Sequence, residues 1–126
     1  MGQLMDRVDV AIVGGGIVGS AVAYFLAVGH GLKGRIVLIE RDPSYRDCST
    51  ARSAGGVRQQ FSTPENIAMS QFAVEMLHTL QSRFGPQADV AFREQGYLIL
   101  ASAHGGGVLA ENVALQQAMG ADIALL

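Results

Sequence analysis

Apolar and polar positions along the 126-residue chain change their period several times. The run Val8-Asp9-Val10-Ala11-Ile12-Val13 is short, β-branched and almost wholly apolar, and it ends at Gly14-Gly15-Gly16. That pattern predicts a strand buried on both faces and running into a tight turn. From Val10 to Gly29 no residue is charged, and after the glycines the apolar positions continue from Ile17 to Val28. Gly19, Ala23 and Ala27 stand at i, i+4 and i+8, which predicts a helix with a small-residue stripe turned to a sheet. Gly29-His30-Gly31 stops that helix, with glycine at C′ and His30 as a turn residue near its negative end. Arg35-Ile36-Val37-Leu38-Ile39-Glu40 then predicts a second strand, closed by an acid.

Farther on, Thr63-Pro64-Glu65-Asn66 is a helix start, with Thr63 as N-cap and Pro64 at N1. Ile67, Met69, Phe72, Ala73, Met76, Leu77, Leu80 and Phe84 recur near a 3.6 period, predicting a core-facing stripe that ends at Phe84-Gly85-Pro86. His78 falls at the edge of this stripe. A strand pair beginning near Phe92 is expected, with Gly96-Tyr97-Leu98-Ile99-Leu100-Ala101 its clearest member. Gly105-Gly106-Gly107 reads as a loop, Val108, Leu115 and Met119 as marks of a helix closed by Gly120, and Asp122–Leu126 as the start of another extended run. Met1–Arg7 reads as a short lead.

Strand, glycine turn, helix and strand ending in an acid form the βαβ unit that holds a dinucleotide. Each glycine has a physical task. Gly14 allows the turn, Gly16 leaves the backbone open to a pyrophosphate, and Gly19 lets helix and strand approach closely. The helix begins near Ile17, so the N–H groups of Ile17 and Val18 and the positive dipole end face the phosphates. Glu40 follows Gly19 by 21 residues and is placed to accept the hydroxyls of an adenosine ribose.

Composition narrows the alternatives. Hydrophobic residues make up 49% and charged ones 16%, against the ~25% charge of ordinary soluble domains, so the chain is expected to bury much of itself. A net charge of −2 without a basic block argues against nucleic acid or a membrane surface as partner. The uncharged run is long enough to span a bilayer, but three adjacent glycines would cost such a helix about 1 kcal/mol each. Asp6 and Asp9 flank Arg7 where a signal peptide needs net positive charge, and Asp6 spoils a myristoylation site at Gly2. One cysteine, Cys48, excludes an internal disulfide and leaves no metal cluster; a reducing cytoplasm is the expected compartment.

Between the second strand and the Thr63 helix, Arg41–Phe61 is poor in periodic apolar residues and dense in hydroxyls, small residues and arginines. A loop of this kind can offer N–H, O–H and guanidinium donors to an anion. An ordinary solvated loop is the alternative that composition alone leaves open.

Together, Val10–Gly19, Ile39-Glu40-Arg41 and Ser49-Thr50-Ala51-Arg52-Ser53-Ala54-Gly55-Gly56-Val57-Arg58 resemble the D-amino-acid oxidase superfamily of FAD-dependent oxidoreductases. Pro64-Glu65-Asn66-Ile67 and Gly96-Tyr97-Leu98 look like its sarcosine oxidase and dimethylglycine dehydrogenase-like branch. The resemblance covers nearly the whole chain and matches about the first third of such an enzyme. It implies FAD as cofactor and oxidation of the C–N bond of an amino acid or secondary amine by hydride transfer to flavin. The loop matching Ser49–Gly56 would wrap the pyrophosphate, ribityl chain and ring, with Ser49 and Thr50 on phosphates or ribityl hydroxyls. Ser53, Ala54, Gly55 and Gly56 would lie under the ring. Arg41 and Arg52 would add cofactor contacts, and Arg58 would pair with a substrate carboxylate. Some dehydrogenases of the branch bind flavin covalently through a histidine two residues after Ser-Thr; here Arg52 stands there, so a non-covalent cofactor is implied.

The expected fold class is α/β: a Rossmann-like FAD-binding βαβ unit, with flavin loop and following helix over residues 1–86, leading into the start of an α+β substrate domain at 87–126. Two parallel strands are too few for a doubly wound sheet, so the chain reads as the N-terminal part of a longer polypeptide. The partners expected are a small-molecule amine or amino-acid substrate and either a second copy or the rest of the longer chain. A nicotinamide-dependent Rossmann dehydrogenase and a non-catalytic flavin-fold assembly factor are the alternatives.

Overall fold

A computed structural model describes residues 7–126. The predicted lead at Met1–Arg7 lies, but for Arg7, outside the described residues. The described chain forms two compact units, one ending at Gly55 and the other running Gly56–Leu126. The expected segment boundary between 86 and 87 falls inside the second unit.

The first unit is the βαβ unit. Strand β1 (Val10–Val13) pairs in parallel with β2 (Ile36–Ile39), Val10 opposite Ile36 and Val13 opposite Ile39. Hydrogen bonds beyond the strands fix this register. The Gly14 N–H donates to the Ile39 carbonyl at 2.8 Å, and at the other end the Arg35 N–H donates to the Asp9 carboxylate at 2.7 Å. Helix α1 (Ile17–Tyr24) continues into a wider π-helical turn over Phe25–Gly29. His30 caps that turn by donating its N–H to the Phe25 carbonyl at 2.8 Å, and Gly31 follows at φ +60°. The π turn corrects one expectation. An extra residue in the turn rotates every later position away from its α-helical direction. Gly19 and Ala23 remain half-buried, while Ala27 is exposed and leaves the small-residue stripe.

In the second unit, α2 (Pro64–Phe84) has Thr63 at its N-cap and ends at Gly85, whose φ of +92° only glycine adopts readily. Helix α3 (Gly106–Ala118) packs against it. A 3₁₀ turn at Ala103–Gly105 precedes α3, so Gly106 and Gly107 open a helix and are not loop residues as expected. Ile67, Val113 and Ala121 form the buried apolar core, together with the buried polar residues Ser70 and Gln116. Their hydrogen bonds explain the polar burial. Gln116 Nε2 donates to the Phe61 carbonyl at 2.9 Å, the Ser70 hydroxyl to the Arg58 carbonyl, and Gln71 Nε2 to the Met119 carbonyl at 2.9 Å.

The buried face of α2 therefore differs from the predicted stripe. Ile67 is buried and Ala73, Met76, Leu77 and Leu80 are half-buried as predicted, but Ser70 is buried and Gln71 half-buried beside Ile67, while Met69, Phe72 and Phe84 are exposed, Met69 at 62%. Hydrophobicity cannot reveal a face whose members include hydrogen-bonding amides and hydroxyls. His78 sits at the edge, as expected, with Nε2 3.1 Å from Glu94 and its ring edge-on to Phe92. The strands expected at 92–101 and 122–126 are not formed among the described residues. A strand exists only with a ladder partner, and Leu98 and Leu100 stand 72% and 84% exposed. Tyr97 is tied down instead through its carbonyl, which accepts from Gln60 Nε2 at 3.0 Å.

Candidate functional site

The first unit gathers its chemistry around the glycine turn. Gly14 leaves β1 at φ +99° and Gly16 caps α1. The first intrahelical bond runs from the Ser20 N–H to the Gly16 carbonyl at 2.9 Å. The N–H groups of Ile17, Val18 and Gly19 thus precede the helical ladder, and those of Val18 and Gly19 are available to an oxygen-rich group. The Ile17 N–H donates to Thr50 Oγ1 at 3.1 Å, which brings the hydroxyl-rich loop onto the helix N-terminus.

Close packing demands glycine here. A Cβ on Gly19 would lie 1.9 Å from the Gly14 carbonyl oxygen, and one on Gly16 would lie 3.0 Å from Thr50 Oγ1. Gly15, to which the sequence reading gave no task, is also crowded: a Cβ would lie 2.8 Å from the side-chain ends Leu38 Cδ2 and the Tyr45 hydroxyl.

Glu40 joins the turn to the loop. Its Oε2 accepts the Gly15 N–H at 2.6 Å and its Oε1 accepts the Asp42 N–H at 2.9 Å. These bonds, the Asp42 one foremost, hold the Glu40 carboxyl below its ordinary value. The next turn repeats the device. The Ser44 hydroxyl and N–H both donate to Asp42 at 2.9 Å and lower its carboxyl in the same way, the hydroxyl contributing most. Further turns run on, with the Tyr45 N–H donating to the Asp42 carbonyl, Cys48 to Tyr45, Arg52 to Cys48 and Ser53 to Thr50.

An open recess of about 450 Å³ results, lined by Gly15, Gly16, Ile17, Ser20, Tyr45, Cys48, Thr50 and Ala51. Of the predicted cofactor residues, Gly14, Gly16, Ile17, Glu40 and Thr50 are brought together at this turn. Val18 is next to it, 74% exposed in the first turn of α1. Arg41 follows Glu40 and is exposed. Ser49, Arg52, Ser53, Ala54 and Gly55 continue the loop without lining the recess. The Arg52 guanidinium is engaged by Asp47, the Ser53 hydroxyl accepts the Gly55 N–H at 3.3 Å, and Gly55 adopts φ +66°. Ser20, Tyr45, Cys48 and Ala51 were missed by sequence reading. Only the small size of Ser20 and Ala51 signalled a close approach.

Gly56 and Arg58 belong to the second unit. A Cβ on Gly56 would meet the Tyr97 hydroxyl at 2.5 Å. The Arg58 guanidinium lies 5.1 Å from the centre of the Phe61 ring and, among the described residues, makes no ion pair. No group of three or more His, Cys, Asp or Glu among the described residues is arranged to hold a metal ion. No helix among them is long and apolar enough to cross a membrane.

The glycine turn, unpaired helix N–H groups, loop hydroxyl and adjoining recess fit a dinucleotide, whose diphosphate needs several converging N–H and O–H donors. Comparisons agree. The chain is 42% identical to FAD-dependent oxidoreductase domain-containing protein 1 of Xenopus laevis and 40% identical to that of Bos taurus, each over 96% of this chain and 26% of the relative. It is 41% identical to the Drosophila melanogaster homolog, over 94% of this chain and 23% of the relative. The chain thus spans about a quarter of the length of the curated relatives it matches. No solved structure matches it. FAD, rather than a nicotinamide dinucleotide, is the cofactor these findings support. With residues 9–126 matching the family described as FAD dependent oxidoreductase (DAO), the chain belongs to that family.

Proposed function

We propose that this chain is the N-terminal, cofactor-binding part of an enzyme that oxidises the C–N bond of an amino acid or secondary amine, as in the sarcosine oxidase and dimethylglycine dehydrogenase-like branch. When bound, FAD supplies the hydride acceptor, and the protein binds and orients. The Val18 N–H group and the Thr50 hydroxyl, itself held by the Ile17 N–H, bind the diphosphate against the positive end of α1. Glu40 has both oxygens engaged with backbone N–H groups, yet each carboxylate oxygen has a second lone pair to offer a ribose hydroxyl. Ser49 and Ser53–Gly55 follow the cofactor toward its ring, where the bare backbone of Gly55, with nothing within 4 Å of an added Cβ, permits close approach. The reducing compartment expected from the free thiol of Cys48 is part of the same proposal.

The observation that carries the substrate class is Arg58. Its carbonyl accepts from the Ser70 hydroxyl and its exposed guanidinium rests over Phe61, a cation that follows the flavin loop in sequence. Such a cation suits a carboxylated amine, which it can bind through two parallel hydrogen bonds. The test is anaerobic bleaching of the flavin in the holoprotein by N-methyl amino acids and by matched amines without a carboxylate. Arg58→Ala is expected to raise KM for the carboxylated series by more than tenfold and to leave the other series within about twofold. Equal effects on both series would remove Arg58 from substrate binding. A flavin that no amine bleaches would point to the non-catalytic alternative.

A further inference from the structure

Tyr45 is the one large side chain in the recess that no sequence motif accounts for. It sits in the loop after β2 with a φ of +56°, a conformation that a bulky residue rarely adopts. Glycine or asparagine would hold the same turn more comfortably. The turn is nevertheless secured on both sides, by the Tyr45 N–H donating to the Asp42 carbonyl at 3.0 Å and by the Tyr45 carbonyl accepting from Cys48 at 3.2 Å. Asp42 is in turn anchored to Gly15 through the Glu40 carboxylate.

This chain of bonds sets the phenol against the glycine turn. The Tyr45 hydroxyl lies 2.8 Å from where a Cβ on Gly15 would stand, so Gly15 is bare where the phenol approaches. The ring lines the same recess as Gly16, Ile17 and Thr50, and it is 39% exposed. Among the described residues the hydroxyl has no hydrogen-bond partner. A phenol O–H is both donor and acceptor, and it gains most from an ionised oxygen.

We infer that Tyr45 is a further cofactor-binding residue, donating its hydroxyl to the diphosphate in the adenosine diphosphate half of FAD. Tyr45 adds a side-chain donor to the backbone N–H groups of α1 in the same recess. The loop bears the positive φ at Tyr45 with the phenol hydroxyl set beside the glycine turn. The inference rests on the cofactor and not on amine chemistry, so its failure leaves the substrate proposal untouched.

The experiment compares binding of FAD and of ADP to wild-type and Tyr45→Phe apoprotein by titration calorimetry, with flavin fluorescence quenching as a second measure for FAD. Loss of one hydrogen bond to an ionised group is expected to weaken both ligands by a common factor of about ten to a hundred. The melting temperature of the apoprotein should not change. Tyr45→Gly, which also relieves the backbone, should melt higher as apoprotein and bind FAD more weakly still. Should either variant fail to fold, nitration of wild-type apoprotein by tetranitromethane supplies the answer, with ADP expected to protect Tyr45. Wild-type affinity in Tyr45→Phe, a loss for FAD without one for ADP, or nitration of Tyr45 undiminished by ADP would each overturn the inference.

Discussion

Gly19→Ala puts the packing of the cofactor helix to a direct test. The added methyl would stand 1.9 Å from the Gly14 carbonyl oxygen and 3.2 Å from Ile12 Cγ2. Ordinary contact needs nearly twice the first of these separations, so α1 must retreat from β1 by about 1.5 Å or the Gly14 peptide must rotate. Rotation is opposed by the bond from the Gly15 N–H, which shares a peptide plane with the Gly14 carbonyl, to Glu40 Oε2 at 2.6 Å. Overpacking of this kind costs about 1–3 kcal/mol, and alanine returns about 1 kcal/mol through its better helix propensity. Stability therefore falls by up to about 2 kcal/mol. Cofactor binding is expected to suffer more. A retreat of about 1.5 Å carries the first-turn N–H groups out of hydrogen-bond range of a bound diphosphate, and each such bond to an ionised oxygen is worth about 1.5–3 kcal/mol. The expected result is a loss of at least tenfold in FAD affinity with a modest fall in melting temperature, read by flavin fluorescence and calorimetry on the same samples. Wild-type FAD affinity in Gly19→Ala would refute the packing argument, since no pose of the methyl escapes the Gly14 carbonyl while the helix stays in place.

Gly107→Ala should act the other way: it lies within α3 with nothing within 4 Å of the added methyl, so a gain of about 0.5–1 kcal/mol is expected, read as a higher urea midpoint at unchanged slope. For Glu40, whose carboxyl is held below its ordinary 4.5 by the Asp42 and Gly15 N–H groups, the stability it contributes is present above pH 4.5 and is lost as pH falls through the lower folded value. Melting temperature against pH should accordingly drop less steeply below 4.5 in Glu40→Gln than in wild type, and parallel curves would show that the two N–H bonds do not form. Acid precipitation should release FAD into the supernatant, because Arg52 is engaged by Asp47 and a guanidinium is a poor nucleophile; a yellow pellet whose flavin peptide contains Arg52 or Cys48 would contradict this.

The sequence by itself determined the parts of this protein whose structure depends on local rules. A glycine turn followed by an apolar helix and an acid-terminated strand admits few backbone paths, so β1, the start of α1, β2 and the convergence of Gly14, Gly16 and Glu40 were legible from spacing alone. Pro64 after Thr63 and glycine at positions 85 and 120 likewise located the helix ends, because each residue type fits a backbone conformation that others resist. Tertiary structure decided whatever required a distant partner. Ser70 and Gln116 are buried because carbonyls at Arg58 and Phe61 accept their hydrogen bonds, and no count of apolar residues anticipates that. The π turn at Phe25–Gly29 removed Ala27 from a stripe that ideal helical spacing had assigned to it. Tyr97–Ala101 has strand composition but no ladder partner among the described residues, and strand pairing is a property of two segments, not one. Tyr45 reaches Gly15 across thirty residues of chain because Glu40 bonds both Gly15 and Asp42 and the Tyr45 N–H donates to Asp42, which makes the recess a product of folding that no single stretch of sequence displays.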